Sequence, residues 1–163
     1  MNVNRRTFFA AGSAALAAGL AGFWGTRRTE AAPGKFEFML SDAEWRRRLS
    51  PQAYAVLRQA STERSGASPL DREKRRGTFH CGGCGLAVYS STTKFDSGTG
   101  WPSFFGPLPN AVGTRADNGL FMKRTEVHCR RCGSHLGHVF DDGPRPTGLR
   151  YCMNGLALKF MPA

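Results

Sequence analysis

Apolar residues in this chain come mostly in short runs, and the spacing of those runs changes along the sequence. From residue 77 onward the runs are bounded by glycine, proline, asparagine or aspartate, which is the pattern of short β-strands. No long helical periodicity appears after residue 65. The runs that predict strands are Leu86–Tyr89, Leu120–His128, Leu136–Phe140, Leu149–Asn154 and Leu156–Phe160.

Two short helices are predicted ahead of the strands. Ser41–Glu44 has the sequence of a capping box and begins a helix that continues to about Leu49. Ser50-Pro51 places an N-cap residue before a proline at the first helical position, and this second helix continues to about Ala60. Serine, glycine and proline dominate residues 65–69, which predicts a loop. The apolar positions expected to pack the helices on the body are Trp45, Leu49, Tyr54 and Leu57.

Taken in this order, the elements predict an α+β fold that is mainly β, a small antiparallel body with helices on its N-terminal side. The chain has 163 residues, so we expect residues 41–163 to form a single domain. Residues 32–40 begin with a Pro/Gly stretch and are predicted to be a linker.

The first 31 residues have the organisation of an export signal. An arginine pair, Arg5-Arg6, precedes a mildly apolar run from Phe8 to Trp24, and Arg27-Arg28 follows that run. These features are similar to a twin-arginine signal cleaved after Ala31, and they predict a periplasmic or otherwise exported protein with no stable membrane association after cleavage. An uncleaved signal that holds the chain at the membrane is the alternative, although the apolar run is short for a span.

The chain is strongly basic, with a formal charge of +11. Residues 1–31 hold four arginines and one glutamate, so the remainder carries +8, much of it in Arg46–Arg48 and Arg72–Arg76. A basic surface attracts nucleic acid, anionic lipid or acidic proteins. No aromatic residues interleave with these arginines as a stacking platform for single strands requires. We therefore favour a solvated face and expect no nucleic-acid partner.

Two Cys-x-x-Cys-Gly segments, Cys81–Gly85 and Cys129–Gly133, predict a metal site. Four thiolates in paired turns form a closed, structural zinc site, and glycine relieves crowding where the backbone bends around the ion. A thioredoxin-type redox dithiol is the alternative, but two matched segments without a βαβ pattern argue against it. We expect one structural Zn²⁺ at the edge of the β body and no structural disulfide. The expected ligands are Cys81, Cys84, Cys129 and Cys132.

The fifth cysteine, Cys152, has no partner of its own kind. Arg150 lies two residues before it, and a nearby cation favours a thiolate. The alternative is a small buried apolar residue, which is the more common role of a single cysteine in a strand.

Two-residue alternation favours the reactive thiol, because it groups Cys152 with Arg150 and Asn154 on one face of a strand. A strand beside it would complete a pocket that holds a nucleophile with acid–base partners. His135 lies three residues before His138. The alternative is that both histidines belong to a polar surface turn. The residues that share one face of the second strand are His138, Phe140 and Asp142.

The segment Ser97–Phe105 contains two glycines followed by Trp101-Pro102, which predicts a tight turn that presents an indole. Trp101 is either an aromatic wall for a small apolar group or a core residue that fixes the loop. Composition does not separate these two roles.

Four motifs in this order carry a family resemblance: Cys-x-x-Cys, Ser-Gly-x-Gly-Trp-Pro-Ser-Phe, Cys-x-x-Cys-Gly-x-His-Leu-Gly-His-Val-Phe-Asp-Asp-Gly and Arg-Tyr-Cys-x-Asn. The chain resembles the B-type peptide methionine sulfoxide reductases from about Phe36 to Phe160. The resemblance implies a β-tent-like fold and reduction of the R epimer of methionine sulfoxide, preferably within proteins, as a repair reaction in oxidative stress.

The resemblance also implies roles for individual residues. Cys152 matches the nucleophile, which attacks the sulfoxide sulfur and becomes a sulfenic acid. His138 and Asp142 match residues that assist protonation and orient water, and Arg150 matches a group that stabilises the thiolate. The residues implied to bind substrate or support the pocket are Trp101, as an indole wall, with Phe140, His135 and Asn154.

One departure from the family concerns regeneration of the enzyme. Many members carry a resolving cysteine where this chain has Thr99. With the other four cysteines assigned to zinc, we expect a cycle in which an external thiol, from a thioredoxin-like protein or a small molecule, attacks the sulfenic acid on Cys152. The enzyme is expected to be a monomer that acts on oxidised methionine-containing proteins or peptides.

The main alternative function is a zinc-ribbon binding module for nucleic acid or protein. It accounts for the Cys-x-x-Cys pairs and the positive charge. It leaves the segment around Cys152 and the His/Asp cluster without a purpose, and it conflicts with the predicted export signal.

Overall fold

The computed structural model describes residues 36–119 and 122–163. The predicted export signal, the first part of the predicted linker and the start of the strand predicted from Leu120 lie outside the described residues. Within the described ranges, no helix has the length and apolar character needed to cross a membrane. Residues 36–40 pack against the second cysteine turn, where Phe38 N–H donates to Arg131 O at 2.9 Å.

Both predicted helices are confirmed together with their capping. Helix α1 spans Asp42–Arg48, and the side chains of Ser41 and Glu44 form the predicted reciprocal capping box. Helix α2 spans Pro51–Gln59 and is capped by the Ser50 hydroxyl. Three of the four predicted packing positions, Trp45, Tyr54 and Leu57, are buried, and Leu49 packs partly against the same core.

The body consists of two antiparallel sheets, which confirms the predicted fold class. The smaller sheet has the order β2-β1-β9, and the larger has the order β3-β4-β8-β7-β6-β5. Short 3₁₀ turns occupy Pro69–Arg72, Ser91–Thr93 and Gly155–Ala157. The strands are β1 Gly77–Cys81, β2 Ala87–Ser90, β3 Lys94–Phe95, β4 Ser103–Phe104, β5 Val112–Gly119, β6 Met122–Cys129, β7 His135–Phe140, β8 Arg150–Met153 and β9 Leu158–Pro162.

An aromatic cluster between the two sheets forms the centre of the core. Phe79 of the smaller sheet meets Phe104 of the larger sheet edge-to-face, with ring centroids 4.9 Å apart. Tyr89 stacks on Phe104 at 4.3 Å, and its hydroxyl donates to the sulfur of Met153 at 3.2 Å. Because Met153 directly follows Cys152, this packing fixes the position of β8 from its core side.

Several elements differ from the sequence prediction, since β1, β3, β4 and β5 are not among the predicted strands. The strand predicted over Leu156–Phe160 begins only at Leu158, because Gly155–Ala157 forms a 3₁₀ turn. Strand β5 was not predicted, since Val112–Gly119 contains no apolar run. It lies at the edge of the larger sheet, where several of its side chains are exposed and strand formation does not require burial of both faces.

Candidate active site and metal centre

The four predicted metal ligands converge in the structure. Their Sγ atoms all lie within 4.8 Å of one another, and all four residues are buried. The pairs Cys81–Cys132 and Cys84–Cys129 have Sγ–Sγ distances of 3.7 and 3.6 Å. Zinc–sulfur bonds of about 2.3 Å in a tetrahedron place sulfurs about 3.8 Å apart, so the cluster fits a four-coordinate Zn²⁺.

The cysteine cluster joins the two sheets. Cys81 ends β1 of the smaller sheet, and Cys129 ends β6 of the larger one. Gly85 and Gly133 follow the two turns with positive φ values of 78° and 67°, which explains the glycine in each Cys-x-x-Cys-Gly segment. A metal held here connects chain segments that are distant in sequence.

Three arginines from separate elements surround this cluster: Arg48, Arg58 and Arg131. Each guanidinium donates to a backbone carbonyl of the cysteine turns, and four thiolates with Zn²⁺ carry two net negative charges. Part of the positive charge expected on a solvated face is therefore placed beside the metal site. The acceptors are the carbonyl oxygens of Gly83, Cys132 and Cys84, at 3.1, 3.3 and 3.4 Å respectively.

A second polar site lies on one face of the larger sheet, where Cys152 of β8 stands directly opposite His138 of β7. Residues directly opposite one another in an antiparallel pair project to the same face, with Cβ atoms about 5 Å apart. Phe140 and Arg150 form the next pair on the same face, so the strand register groups these four side chains as predicted. The row that crosses the sheet through the thiol contains Arg115, Glu126, His138, Cys152 and Ser103.

A β-bulge brings His135 to this face. Regular alternation would place His135 and His138 on opposite faces, but the pairing of β6 with β7 shifts by one residue at Leu136. The extra residue is buried in the core, and the two imidazole centroids lie 5.3 Å apart. His135 is only 3% exposed, and its Nε2 is a buried atom without a hydrogen-bond partner among the described residues.

Each histidine is held by a carboxylate that the sequence pattern did not identify. His138 Nε2–H donates to Asp117 Oδ2, and His135 Nδ1–H donates to Glu126 Oε1, both at 2.8 Å. Burial raises the pKa values of both carboxyls, but their histidine partners and nearby arginines outweigh it and hold both pKa values below the ordinary range. Burial lowers the pKa of His138 and outweighs the opposing effect of Asp117, which favours the neutral imidazole.

The predicted acidic residue Asp142 contacts Arg150 rather than a histidine. Arg150 Nε and Nη2 donate to its two carboxylate oxygens at 2.8 Å, and the guanidinium lies over the Phe140 ring at 4.4 Å. The hydrogen bonds from Arg150 lower the pKa of Asp142. Asp142 thus orients the guanidinium, while its own side chain is 58% exposed.

Cys152 is partly buried and contacts a chain of hydroxyl groups. Its Sγ lies 3.9 Å from Thr99 Oγ1, which is 2.8 Å from Ser97 Oγ, and Ser97 Oγ is 2.8 Å from Ser103 Oγ. Burial raises the pKa of the Cys152 thiol and outweighs the lowering effects of Thr99, Arg150 and Ser103. Arg150 does lower the pKa of Cys152, as expected, but burial has the larger effect. The protonated thiol is therefore favoured over the thiolate.

This environment predicts how the thiol reacts with an alkylating agent. We expect the rate of Cys152 alkylation to rise with pH through a midpoint above the ordinary thiol pKa of about 8.5, because burial retains the proton. Arg150→Met removes a cation that lowers this pKa, so its midpoint moves higher still. The measurement is iodoacetamide labelling of the Cys152 peptide by mass spectrometry, with exposed Arg47→Met as the control. A midpoint unaffected by Arg150→Met would contradict the assignment.

Trp101 and Asn154 are both hydrogen-bonded to Glu63. Trp101 is partly buried in the turn between Thr99 and Ser103, and its Nε1–H donates to Glu63 O at 3.2 Å. Asn154 is only 3% exposed; its side chain accepts from Glu63 N–H and donates to Leu136 O. The amide of Asn154 thus supports the pocket from within the fold.

Comparison with known proteins agrees with this geometry. The SelR domain model matches residues 49–162. The chain is 52% identical over 135 residues to peptide methionine sulfoxide reductase MsrB of Leifsonia xyli, covering 82% of this chain and 97% of the relative. It is 48% identical over 126 residues to the MsrB of Leptospira interrogans, covering 77% and 96%. The protein therefore belongs to the B-type peptide methionine sulfoxide reductase family.

Proposed function

We propose that this protein reduces the R epimer of methionine sulfoxide in oxidised proteins and peptides, with Cys152 as the nucleophile. The observation that carries the proposal is the position of Cys152. It is the only cysteine outside the buried four-cysteine cluster, and it stands opposite His138 on a polar face. The relatives of this chain are named as enzymes that act on methionine sulfoxide in peptides.

The reaction requires the thiol proton to move as the sulfur attacks. The Cys152 sulfur attacks the sulfoxide sulfur and forms a transient sulfur–sulfur bond. The oxygen is protonated and transferred to the Cys152 sulfur as its bond to the substrate sulfur breaks. The sulfur–sulfur bond then breaks, and methionine leaves with its sulfur reduced. The products are methionine and a sulfenic acid, Cys152–SOH, so the thiol hydrogen ends on the transferred oxygen. Thiol oxidation and sulfoxide reduction balance, and no further electron donor is needed in this half-reaction.

The neutral imidazole of His138 suits the transfer of this proton. It accepts the proton from Cys152 as the thiolate forms, and returns it to the departing oxygen. Asp117 holds Nε2–H and stabilises the transient imidazolium, which leaves Nδ1 for the exchange. Arg150, oriented by Asp142, stabilises the thiolate and the polarised sulfoxide.

The substrate side chain is proposed to lie between the sheet face and the turn that carries Trp101. The Trp101 indole and the Phe140 ring supply apolar surface for the methyl group on the substrate sulfur. His135 and Asn154 are both buried and hydrogen-bonded, and they are proposed to support this pocket from its core side.

Regeneration is proposed to use an external thiol from a thioredoxin-like protein or a small molecule. The residue nearest the sulfenic acid in the position of a resolving group is Thr99, whose hydroxyl does not form a disulfide. The other four cysteines are buried together, and Zn²⁺ bound there supplies a structural cross-link. We also propose export by the arginine-pair signal, with cleavage after Ala31, on the basis of the sequence alone.

A single-turnover experiment tests the chemistry. The reduced enzyme is mixed with a peptide that carries one epimer of methionine sulfoxide, without reductant, and Cys152 is examined by mass spectrometry with and without dimedone. The R epimer is expected to add one oxygen to Cys152, which dimedone traps, whereas the S epimer leaves the thiol unchanged.

Thr99→Cys is the matched control, because its sulfur would lie beside Cys152 and should convert the sulfenic acid into a disulfide. An intramolecular disulfide in the wild-type protein would contradict regeneration by an external thiol. Equal reaction with both epimers would contradict the stereochemical assignment.

A further inference from the structure

The segment Glu63–Ser68, here called the strap, connects two parts of the candidate active site that are not adjacent in sequence. One part is the turn Ser97–Trp101, and the other is the segment Asn154–Leu156 that follows Cys152. The strap contains serine, glycine and alanine and has no regular structure before the 3₁₀ turn at Pro69. Nothing in its composition predicts a role in the site.

On one side, three hydrogen bonds attach the strap to the turn. Trp101 Nε1–H donates to Glu63 O at 3.2 Å, the Ser65 hydroxyl donates to Thr99 O at 2.7 Å, and Gly66 N–H donates to Gly100 O at 2.8 Å. Contact is close enough that a Cβ on Gly100 would lie 2.2 Å from Ser65 Oγ. The strap therefore fixes both the indole and the backbone beside Thr99.

On the other side, Glu63 alone makes three hydrogen bonds to the chain after Cys152. Its N–H donates to Asn154 Oδ1 at 3.0 Å, and its carboxylate accepts from the N–H groups of Gly155 and Leu156. These backbone donors belong to the 3₁₀ turn that replaced the start of the predicted strand. A Cβ on Gly155 would lie 1.8 Å from Ser68 Oγ, so the strap contacts this turn closely as well.

We propose that Glu63 is a positioning residue for sulfoxide reduction, which fixes the Trp101 indole relative to the segment that carries Cys152. The Glu63 side chain is buried, and a buried carboxylate is costly unless its oxygens are satisfied, as they are here by two backbone donors. Because the same residue holds the indole through its carbonyl and the cysteine segment through its carboxylate, a shift of Glu63 moves the pocket wall relative to the nucleophile. This inference rests on the proposed roles of Trp101 and Cys152.

Glu63→Gln is the variant that tests the proposal, because it keeps the side-chain length and removes one of the two acceptor oxygens. Misplacement by about 1 Å costs up to about a hundredfold in rate, so we expect kcat/KM to fall by about tenfold or more. Because the displaced group is the Trp101 wall of the proposed substrate pocket, KM should rise. Exposed Glu37→Gln is the matched control and should behave as wild type. If both wild type and Glu37→Gln lack turnover, the proposed function fails and not the role of Glu63.

A double-mutant cycle separates positioning from simple structural support. Trp101→Phe keeps an aromatic ring but removes the donor that contacts Glu63 O. If Glu63 acts through the indole, the double variant should lose less kcat/KM than the product of the two single losses. The fluorescence emission of Trp101 is obtained by subtracting the spectrum of Trp101→Phe. This emission should also shift in Glu63→Gln.

If the loss of kcat/KM in the double variant equals the product of the two single losses, the proposal is overturned. It would also be overturned by a Glu63→Gln variant with a lower melting temperature but unchanged KM and unchanged Trp101 emission below that temperature. Ser65→Ala provides a second route if Glu63→Gln folds poorly. This change removes the bond to Thr99 O without burying an unpaired charge, and it should raise KM in the same direction by a smaller factor.

Discussion

Cys152→Ser is expected to lower the turnover of methionine sulfoxide by more than about a thousandfold, because a serine hydroxyl neither ionises nor accepts the oxygen as a thiol does. The loss should appear in kcat and not in folding. Cys152 is partly buried, and exchange of its sulfur for oxygen changes little volume. The measurement is steady-state reduction of a peptide containing methionine R-sulfoxide, with dithiothreitol and then thioredoxin as the electron source.

The control for this loss is retention of the fold and the metal site. Zinc content and melting temperature of Cys152→Ser should equal those of the wild type, since the four-cysteine cluster is separate from this residue. Turnover equal to that of the wild type would show that Cys152 is not the nucleophile.

The second large effect concerns stability. Cys81→Ser is expected to lower the free energy of unfolding by several kcal/mol, because zinc binding at such sites contributes directly to folding. The total stability of a domain of this size is only about 5–15 kcal/mol, so much of the population should unfold at moderate temperature. The cluster joins the end of β1 to the end of β6, so its loss separates the two sheets that enclose Phe79 and Phe104.

Thermal unfolding with and without a strong chelator measures this effect, together with metal content by atomic absorption. Chelation of the wild type should reproduce the loss seen in Cys81→Ser, and Cys152→Ser should melt as the wild type does. A normal melting temperature after complete removal of metal would exclude a structural role for zinc.

Much of the fold could be predicted from local signals in the sequence. The capping box at Ser41 and the N-cap at Ser50 located both helices, since their hydrogen bonds involve residues within one turn. Two-residue alternation grouped His138 with Phe140 and Cys152 with Arg150, and the pairing of β7 with β8 in the structure brings the two groups together.

These unpredicted features depend on how strands pair with one another and not on the composition of each segment. Strand β5 has the composition of a loop and becomes a strand only because β6 pairs with it along its length. For this reason Asp117, the partner of His138, was missed. The bulge at Leu136 depends on the register between two strands, so alternation alone could not place His135 on the face of His138.

The proton affinity of Cys152 could not be predicted from sequence either. Arg150 two residues away suggested a lowered pKa, but the burial of the sulfur depends on how β4 and β8 pair and on the position of Thr99. Glu63 gave no signal because its contacts join a loop to two segments that are far from it along the chain.

The polar row across the larger sheet makes the chemistry a property of the completed fold. Its members come from β4, β5, β6, β7 and β8, and the Ser103–Cys152 pair at the end of the row joins residues that are 49 positions apart in the chain (152 − 103). Such non-local topology forms slowly, because distant segments must meet before their contacts are gained. During refolding, recovery of turnover should therefore lag behind the burial of Trp45 beside α1 and α2. A newly synthesised chain should at first have no turnover.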